Sequence, residues 1–325
     1  MPGHRHALPQ LSDDVFLTDG GLETVLIYHQ GIDLPEFAAF VLLADVAGIG
    51  ELERYYRPYL ALARDAGRGL VLETATWRAS PDWGDRLGWS AEALDAANVA
   101  AVDLLVRLRD EQHPEQHPGQ HTAQPVVVSG CLGPRGDGYS PDELMSAEEA
   151  QGYHSTQIAS FARTEADLVT AMTMTHSGEA VGVARAAAAA GLPSVISFTV
   201  ETDGRLPSGE SLEAAIHAVD DATGAAPAYY MVNCAHPTHV DDALRAGRGW
   251  QQRLRGLRAN ASTRSHAELD AAEDLDAGDP ADLGKRYAAL RRLMPGLTVL
   301  GGCCGTDIRH VEAISRACAP ASSRR

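Results

Sequence analysis

Three cysteines near the C-terminal end of the chain stand in two short motifs, Cys234 in MVNCAHP and Cys303 with Cys304 in VLGGCCGT. Each motif follows a short apolar run that reads as a β-strand. Three thiolates delivered from strand ends can hold one zinc ion and leave one coordination position open. That suits chemistry on a sulfur nucleophile better than it suits a structural staple. A free thiol, with a pKa of about 8.5, is only about 3% thiolate at pH 7, whereas binding to Zn²⁺ removes the proton outright. Zinc would also hold the sulfur at a fixed point, lowering the entropic cost of meeting a reaction partner. A Zn²⁺ with three thiolates carries one net negative charge, and a fourth, substrate thiolate makes it two. Such an electron-rich site keeps a bound sulfur nucleophilic and attracts a cationic partner.

The other cysteines fit a plainer reading. Cys131 and Cys318 are expected to be small core hydrophobes. For Cys303 and Cys304 a redox-active vicinal pair is the competing reading, but it leaves Cys234 unused. Gly301, Gly302 and Gly305 flank the pair and are expected to let the backbone turn so that both side chains face one centre.

The elements that must position these residues alternate. Strand-like runs end near Asp19, Glu73, Ser129, Ala171, Phe198, Asn233, Ala259 and Gly301, with helix-like segments between them. Ser90 to Asp110 has helical spacing. Ser146 with Glu149 forms a capping-box pattern opening a helix to Ala166. An Ala-rich segment from Gly178 stops at Gly191 and Pro193. Ser211 to Ala222 follows, and Asp279-Pro280 opens the helix to Met294. Eight strands each followed by a helix predict an α/β fold, a single-domain (β/α)₈ barrel over residues 1–325 with its core at about 13–318. The alternative is a doubly wound open sheet with an extra lobe, although TDGGLET is not a GxGxxG fingerprint. In a barrel, chemistry sits at the C-terminal ends of the strands. There the chain would deliver Asp19 and Gly20, Glu73 and Thr74 with Trp77 just beyond, Met172, Thr199 and Glu201, Asn233 and Cys234, Asn260, and the cysteine pair. Trp77 is a candidate wall for an onium pocket through cation–π contact. His176 and His236, also near strand ends, are expected to make ordinary hydrogen bonds.

Two segments look peripheral. DEQHPEQHPGQH, within a low-complexity insertion at 110–122, spaces His113, His117 and His121 by four, but Pro114 and Pro118 break any helix that would align them as ligands. The acidic stretch from Glu268 to Asp282 reads as a solvated loop.

Composition narrows the classes. The 325 residues are 45% apolar with a formal net charge of −17, which argues against nucleic-acid or anionic-membrane partners and leaves small molecules, with a homo-oligomer open. No run of 18 apolar residues appears, and MPGHRHALPQLSDD lacks a signal-peptide h-region, so a cytoplasmic location with reduced thiols is expected. There is no Ser-His-Asp order worth pursuing, and no sign of haem, flavin or pyridoxal phosphate.

DGGLET, SGCLGP, VNCAHP and GGCCGT, in this order, resemble the homocysteine S-methyltransferases, the family of the betaine– and S-methylmethionine–homocysteine enzymes. The resemblance runs from about Thr18 to about Ile314. It implies a zinc-dependent (β/α)₈ barrel with one Zn²⁺ per chain on Cys234, Cys303 and Cys304. It also implies methyl transfer from an S-methylmethionine, S-adenosylmethionine or betaine type of donor to homocysteine, giving methionine. Asp19 matches a residue that helps hold the homocysteine amino group, and Gly20 lines the same pocket. One departure stands out: Met172 occupies the place of a fourth-strand Glu that, in the betaine enzymes, binds the same amino group. A thioether cannot replace a carboxylate against an ammonium. Either Glu73 or Glu201 supplies that contact, or the acceptor is another thiol or selenol. A non-catalytic zinc- or onium-binding barrel is the remaining alternative.

Overall fold

The computed structural model describes residues 3–112, 124–139, 144–245, 249–272 and 274–319. Eight parallel strands close in chain order: β1 (Phe16–Leu17), β2 (Gly69–Glu73), β3 (Val126–Leu132), β4 (Leu168–Met174), β5 (Ser194–Phe198), β6 (Tyr229–Asn233), β7 (Leu254–Ala259) and β8 (Val299–Gly302). Pairing of Phe16 with both Gly69 and Val299 closes the ring and excludes the open-sheet alternative. One principal helix follows each strand: α1 (Val46–Asp65), α2 (Ala91–Asp110), α3 (Ala147–Ala162), α4 (Ser177–Ala189), α5 (Leu212–Thr223), α6 (Pro237–Arg245), α7 (Pro280–Leu293) and α8 (Ile308–Ala317). Ser90 caps α2, and Ser146 with Glu149 forms the expected capping box on α3. The histidines at 113, 117 and 121 lie outside the described residues.

Strand alternation determines what the barrel interior contains. Phe16, Val71, Val127, Leu168, Val195, Tyr229, Met231 and Val299 pack into one buried cluster that plugs the N-terminal half. Gly256 makes room for it, since a Cβ there would lie 2.4 Å from Met231 Cγ. Side chains two residues further on share the inward face. From the plug this count gives Glu73, then Ser129 and Cys131, Thr170 and Met172, Ser197, Asn233, Arg258 and Gly301. The interior therefore changes from apolar to polar toward the strand C-termini, with Ser129 and Thr170 hydroxyls bonded at 2.8 Å and Ser197 donating to Asn233 Oδ1 at 2.7 Å.

The glycines around the cysteine pair divide their roles differently from expectation. Only Gly305 has a left-handed backbone, at φ +77°. Gly301 and Gly302 are strand residues, and what they allow is close approach. A Cβ on Gly301 would lie 1.8 Å from Thr18 Oγ1 and 2.8 Å from the Asp19 carbonyl, and one on Gly302 would lie 2.0 Å from Thr306 Oγ1. The Thr18 side chain can rotate, but the Asp19 carbonyl is backbone just past β1, fixed by the Gly302 amide at 2.9 Å. Gly301→Ala is therefore expected to destabilise the fold by about 1–3 kcal/mol, the usual cost of overpacking. A urea unfolding midpoint equal to that of the parent would contradict this.

Candidate metal centre

The three cysteines meet at the C-terminal mouth of the barrel. Cys234 Sγ lies 2.9 Å from Cys303 Sγ and 3.4 Å from Cys304 Sγ, and all three sulfurs fall within 4.8 Å of one another. β7 and the turn that follows it hold them together through their backbone. The Arg258 and Ala259 carbonyls accept from the Cys234 and Cys303 amides at 3.2 and 2.8 Å, and the Ala261 amide donates to the Cys304 carbonyl at 3.0 Å. Cys234 adopts a left-handed backbone, φ +55°, with its carbonyl fixed by Asn260 Nδ2 at 3.0 Å and by His266 Nε2 at 2.5 Å. A strained non-glycine residue persists only where its surroundings over-determine it, and such residues concentrate at functional sites. Thr173, φ +62°, is a second case, gripped by Asn233 through its amide and its hydroxyl, both at 2.8 Å.

The donor set suits a thiophilic ion. A tetrahedral zinc with Zn–S bonds of about 2.3 Å needs sulfurs about 3.8 Å apart, so the cluster has to open by less than about 1 Å to receive one. Cys234 is buried, Cys303 half-buried and Cys304 exposed, which leaves the solvent side for a fourth ligand. Cys303 is the most acidic of the three thiols. Hydrogen bonds from Cys234 and Cys304, helped by Arg258 and Asn233, hold it well below its usual pKa, while Cys234 is pushed well up.

Two cavities meet here. The inner one, about 110 Å³, contains Asp19, Glu73, Met172, Arg258 and the cysteines. The outer one, about 230 Å³, opens beyond Cys304 and has aromatic walls in Tyr28, Phe37, Trp77 and Tyr139. Its acidic rim carries Glu23, Asp137, Asp270, Asp274 and Asp276, against one arginine, Arg78. The stretch from Glu268 read as a solvated loop thus supplies part of this rim. The Tyr139 hydroxyl stands 3.0 Å from Cys234 Sγ and 3.9 Å from Cys304 Sγ, at the junction of the two cavities.

The other sequence candidates fall into place around this centre. Gly20 and Thr74 line the inner cavity, and Trp77 lines both. The Thr74 hydroxyl is occupied, accepting from the Cys131 amide at 2.8 Å and bonded to Thr76 at 2.6 Å. One side of Trp77 is covered by the Arg78 guanidinium, 4.6 Å from the ring centroid. Asn233 reaches from β6 to Cys303 Sγ at 3.9 Å. Glu201 is outside both cavities; it accepts from His266 Nδ1 at 3.0 Å and so steadies the histidine that holds the Cys234 carbonyl. Cys131, expected to be inert core, is buried but lines the inner cavity. His176 bonds to the Met145 carbonyl at 3.2 Å and to Thr175 at 3.3 Å, and His236 to Thr238 at 2.7 Å. Tyr139, His266 and Arg258 were not singled out from the sequence. Arg258 could have been found by counting in twos from the apolar positions of its strand.

A family model described as homocysteine S-methyltransferase matches residues 16–318. The chain belongs to the homocysteine S-methyltransferase family. It is an enzyme of that class, a methyltransferase acting on the thiol of homocysteine. The fold is similar to that of the homocysteine methyltransferase MmuM from Escherichia coli. For the oxidised form the TM-score is 0.75 at 21% identity, covering 95% of this chain and 98% of that one. For the metallated form it is 0.70 at 20% identity, covering 96% and 98%. No curated protein sequence matches. Among the described residues no helix is long and apolar enough to cross a membrane.

Burial raises the Glu73 carboxyl to about 7 from 4.5, with Arg258 opposing the shift. Between those two values the folded state keeps a proton that the unfolded chain has lost, so stability falls as pH rises through this window. The loss from Glu73 amounts to at most about 3 kcal/mol. Glu73→Gln should flatten the pH dependence of the thermal midpoint across that range. An unchanged slope would mean that Glu73 titrates normally.

Proposed function

We propose that the protein transfers a methyl group from an onium donor, a sulfonium or quaternary ammonium, to the thiol of homocysteine, with one Zn²⁺ held by Cys234, Cys303 and Cys304. The observation that carries this reading is the convergence of the three sulfurs on one point between an inner, charged cavity and an outer, aromatic and acidic one. The bound metal supplies the positive charge that keeps the acceptor sulfur deprotonated at neutral pH. Everything else falls to the chain's own residues.

Asn233 and the β7 carbonyls fix where the cysteines point, so the acceptor sulfur enters on the exposed side of the cluster. The acidic rim and aromatic walls favour a cation in the outer cavity, through charge and through the ring faces. The acceptor sulfur's electron pair then forms a bond to the methyl carbon as the carbon–onium bond breaks and its electron pair returns to the donor heteroatom. The donor leaves neutral and needs no proton. Charge is destroyed in the step, so exclusion of water by Trp77 and Tyr139 lowers the barrier.

Protein purified under reducing conditions should contain close to one zinc per chain, and Cys234→Ala should abolish stoichiometric binding. Full zinc content in that variant would sink the assignment of the ligands. Methionine yield from homocysteine, measured with S-methylmethionine, S-adenosylmethionine and betaine in turn, tests the reaction and ranks the donors. Trp77→Leu should raise the KM for the donor by about tenfold, as expected for a lost cation–π wall, with the acceptor KM less affected. An effect confined to the acceptor would remove Trp77 from the donor pocket.

A further inference from the structure

The inner cavity is built differently from the acid-lined pocket that the sequence resemblance implies. Asp19, matched there to a contact with an ammonium, is already engaged. Its Oδ1 is charge-paired with Arg258 Nη2 at 2.5 Å, although without hydrogen-bond geometry, and its Oδ2 accepts from Tyr55 at 3.0 Å. At the β4 position the wall is the Met172 thioether, which is 5% exposed. An ammonium placed against Asp19 would sit in the field of a guanidinium and face no second acid from β4.

Arg258 has the opposite character. It is 7% exposed and lines the cavity, and three of its contacts lock it in place: Nε to the Gly302 carbonyl at 3.1 Å, and Nη2 to the Gly20 carbonyl at 3.1 Å and to Asp19. Its Nη1 makes no hydrogen bond among the described residues. Across the cavity Glu73 is 5% exposed, and its Oε2 is buried without a hydrogen-bond partner. A buried polar atom without a partner is costly, and a ligand group that supplies one is bound accordingly. The planar fork of a guanidinium matches a carboxylate, and a lone carboxylate oxygen matches an ammonium.

We propose that Arg258 anchors the carboxylate of the acceptor and that Glu73 faces its ammonium, so that β7 and β2 read the amino-acid end of the thiol in place of β1 and β4. This rests on the thiol-transfer reading of the cysteine cluster. Arg258 and Glu73 act as binding residues, with the sulfur placed by the cysteines.

The test uses three thiols of one chain length: homocysteine, 4-mercaptobutanoate, which lacks the amino group, and 3-mercaptopropan-1-amine, which lacks the carboxylate. Their binding to the cobalt-substituted protein is followed by the thiolate-to-cobalt absorption, independently of turnover. In the parent protein, removing the carboxylate should weaken binding more than removing the amino group; the reverse order overturns the assignment. Arg258→Lys keeps a cation beside Asp19 but loses the fork. It should weaken both carboxylate-bearing thiols by roughly 10- to 100-fold, the usual range for a charge-assisted hydrogen bond, and leave 3-mercaptopropan-1-amine within about threefold. Glu73→Gln should weaken homocysteine and 3-mercaptopropan-1-amine and spare 4-mercaptobutanoate. In turnover these losses should appear in KM, with kcat little changed. A variant that weakens all three thiols equally acts only on the structure and overturns its assignment, and should Arg258→Lys fail to fold, the parent series decides. Binding in the expected order without methyl transfer from any onium donor would count against the proposed reaction and leave the acceptor assignment standing. Absence of any thiolate band would remove the thiol-transfer reading and the assignment with it.

Discussion

One strand carries the arrangement on which the site depends. β7 lies between β6 and β8, and its last two residues with the turn just after them bond to the backbone of all three cysteines: Arg258 and Ala259 accept from Cys234 and Cys303, and Ala261 donates to Cys304. Sulfurs gathered this closely repel one another once ionised, and a cluster on mobile loops would relax apart. Here the separation is inherited from the spacing of neighbouring strands, which a barrel cannot change without opening. The tight seam between β8 and β1 at Gly301 serves the same end, because it holds the Gly-Gly-Cys-Cys segment in the sheet until just before the cysteines.

The same strand supplies the buried cation. Arg258 stands among Asp19, Glu73 and Cys303, and although burial works against its charge, these three anions together raise its pKa. A buried ion pair is weak evidence for stability, since desolvation cancels much of the attraction. Its presence in a cavity wall is better explained by what it does to the cavity. It offsets the negative charge that the cysteine cluster and the two acids would otherwise concentrate there, and it adds to the hydrogen bonds from Cys234 and Cys304 that lower the Cys303 pKa. Burial nevertheless outweighs it at the acids nearby: it raises Asp19 above its usual range and Glu23 and Glu73 to about 7, with Arg258 opposing each shift.

Much of this was legible in the sequence. The eight strand ends, the helix caps at Ser146 and Asp279, and the position of the three cysteines follow from periodicity and capping chemistry, which are local. The family motifs supplied the rest of the metal reading. Residues whose meaning depends on what lies opposite them were not legible. Tyr139 is far in sequence from Cys234, and only the closed barrel brings its hydroxyl to the sulfurs. Glu201 was read as a site candidate because it follows β5, yet the pairing with His266 takes it out of the cavity. The acidic stretch after Glu268 has the composition of a solvated loop and also that of a rim for a cation. Composition alone cannot separate the two, because both require carboxylates in contact with water.

The two cavities differ in a way that constrains the order of their contents. The inner one is small, charged and walled by strands, so its occupant is held by fixed groups. The outer one has a mouth of loops, with Tyr28 and Phe37 half exposed at its edge and Phe37 itself in a left-handed backbone conformation, φ +55°. The inner cavity adjoins the outer at Trp77, Tyr139 and Cys304, so a donor seated first would obstruct the acceptor. For the proposed reaction, acceptor before donor is the sequence that this geometry favours. It is also the one that electrostatics favours, because the outer cavity becomes a better cation site once a second negative charge has arrived at the cluster behind it.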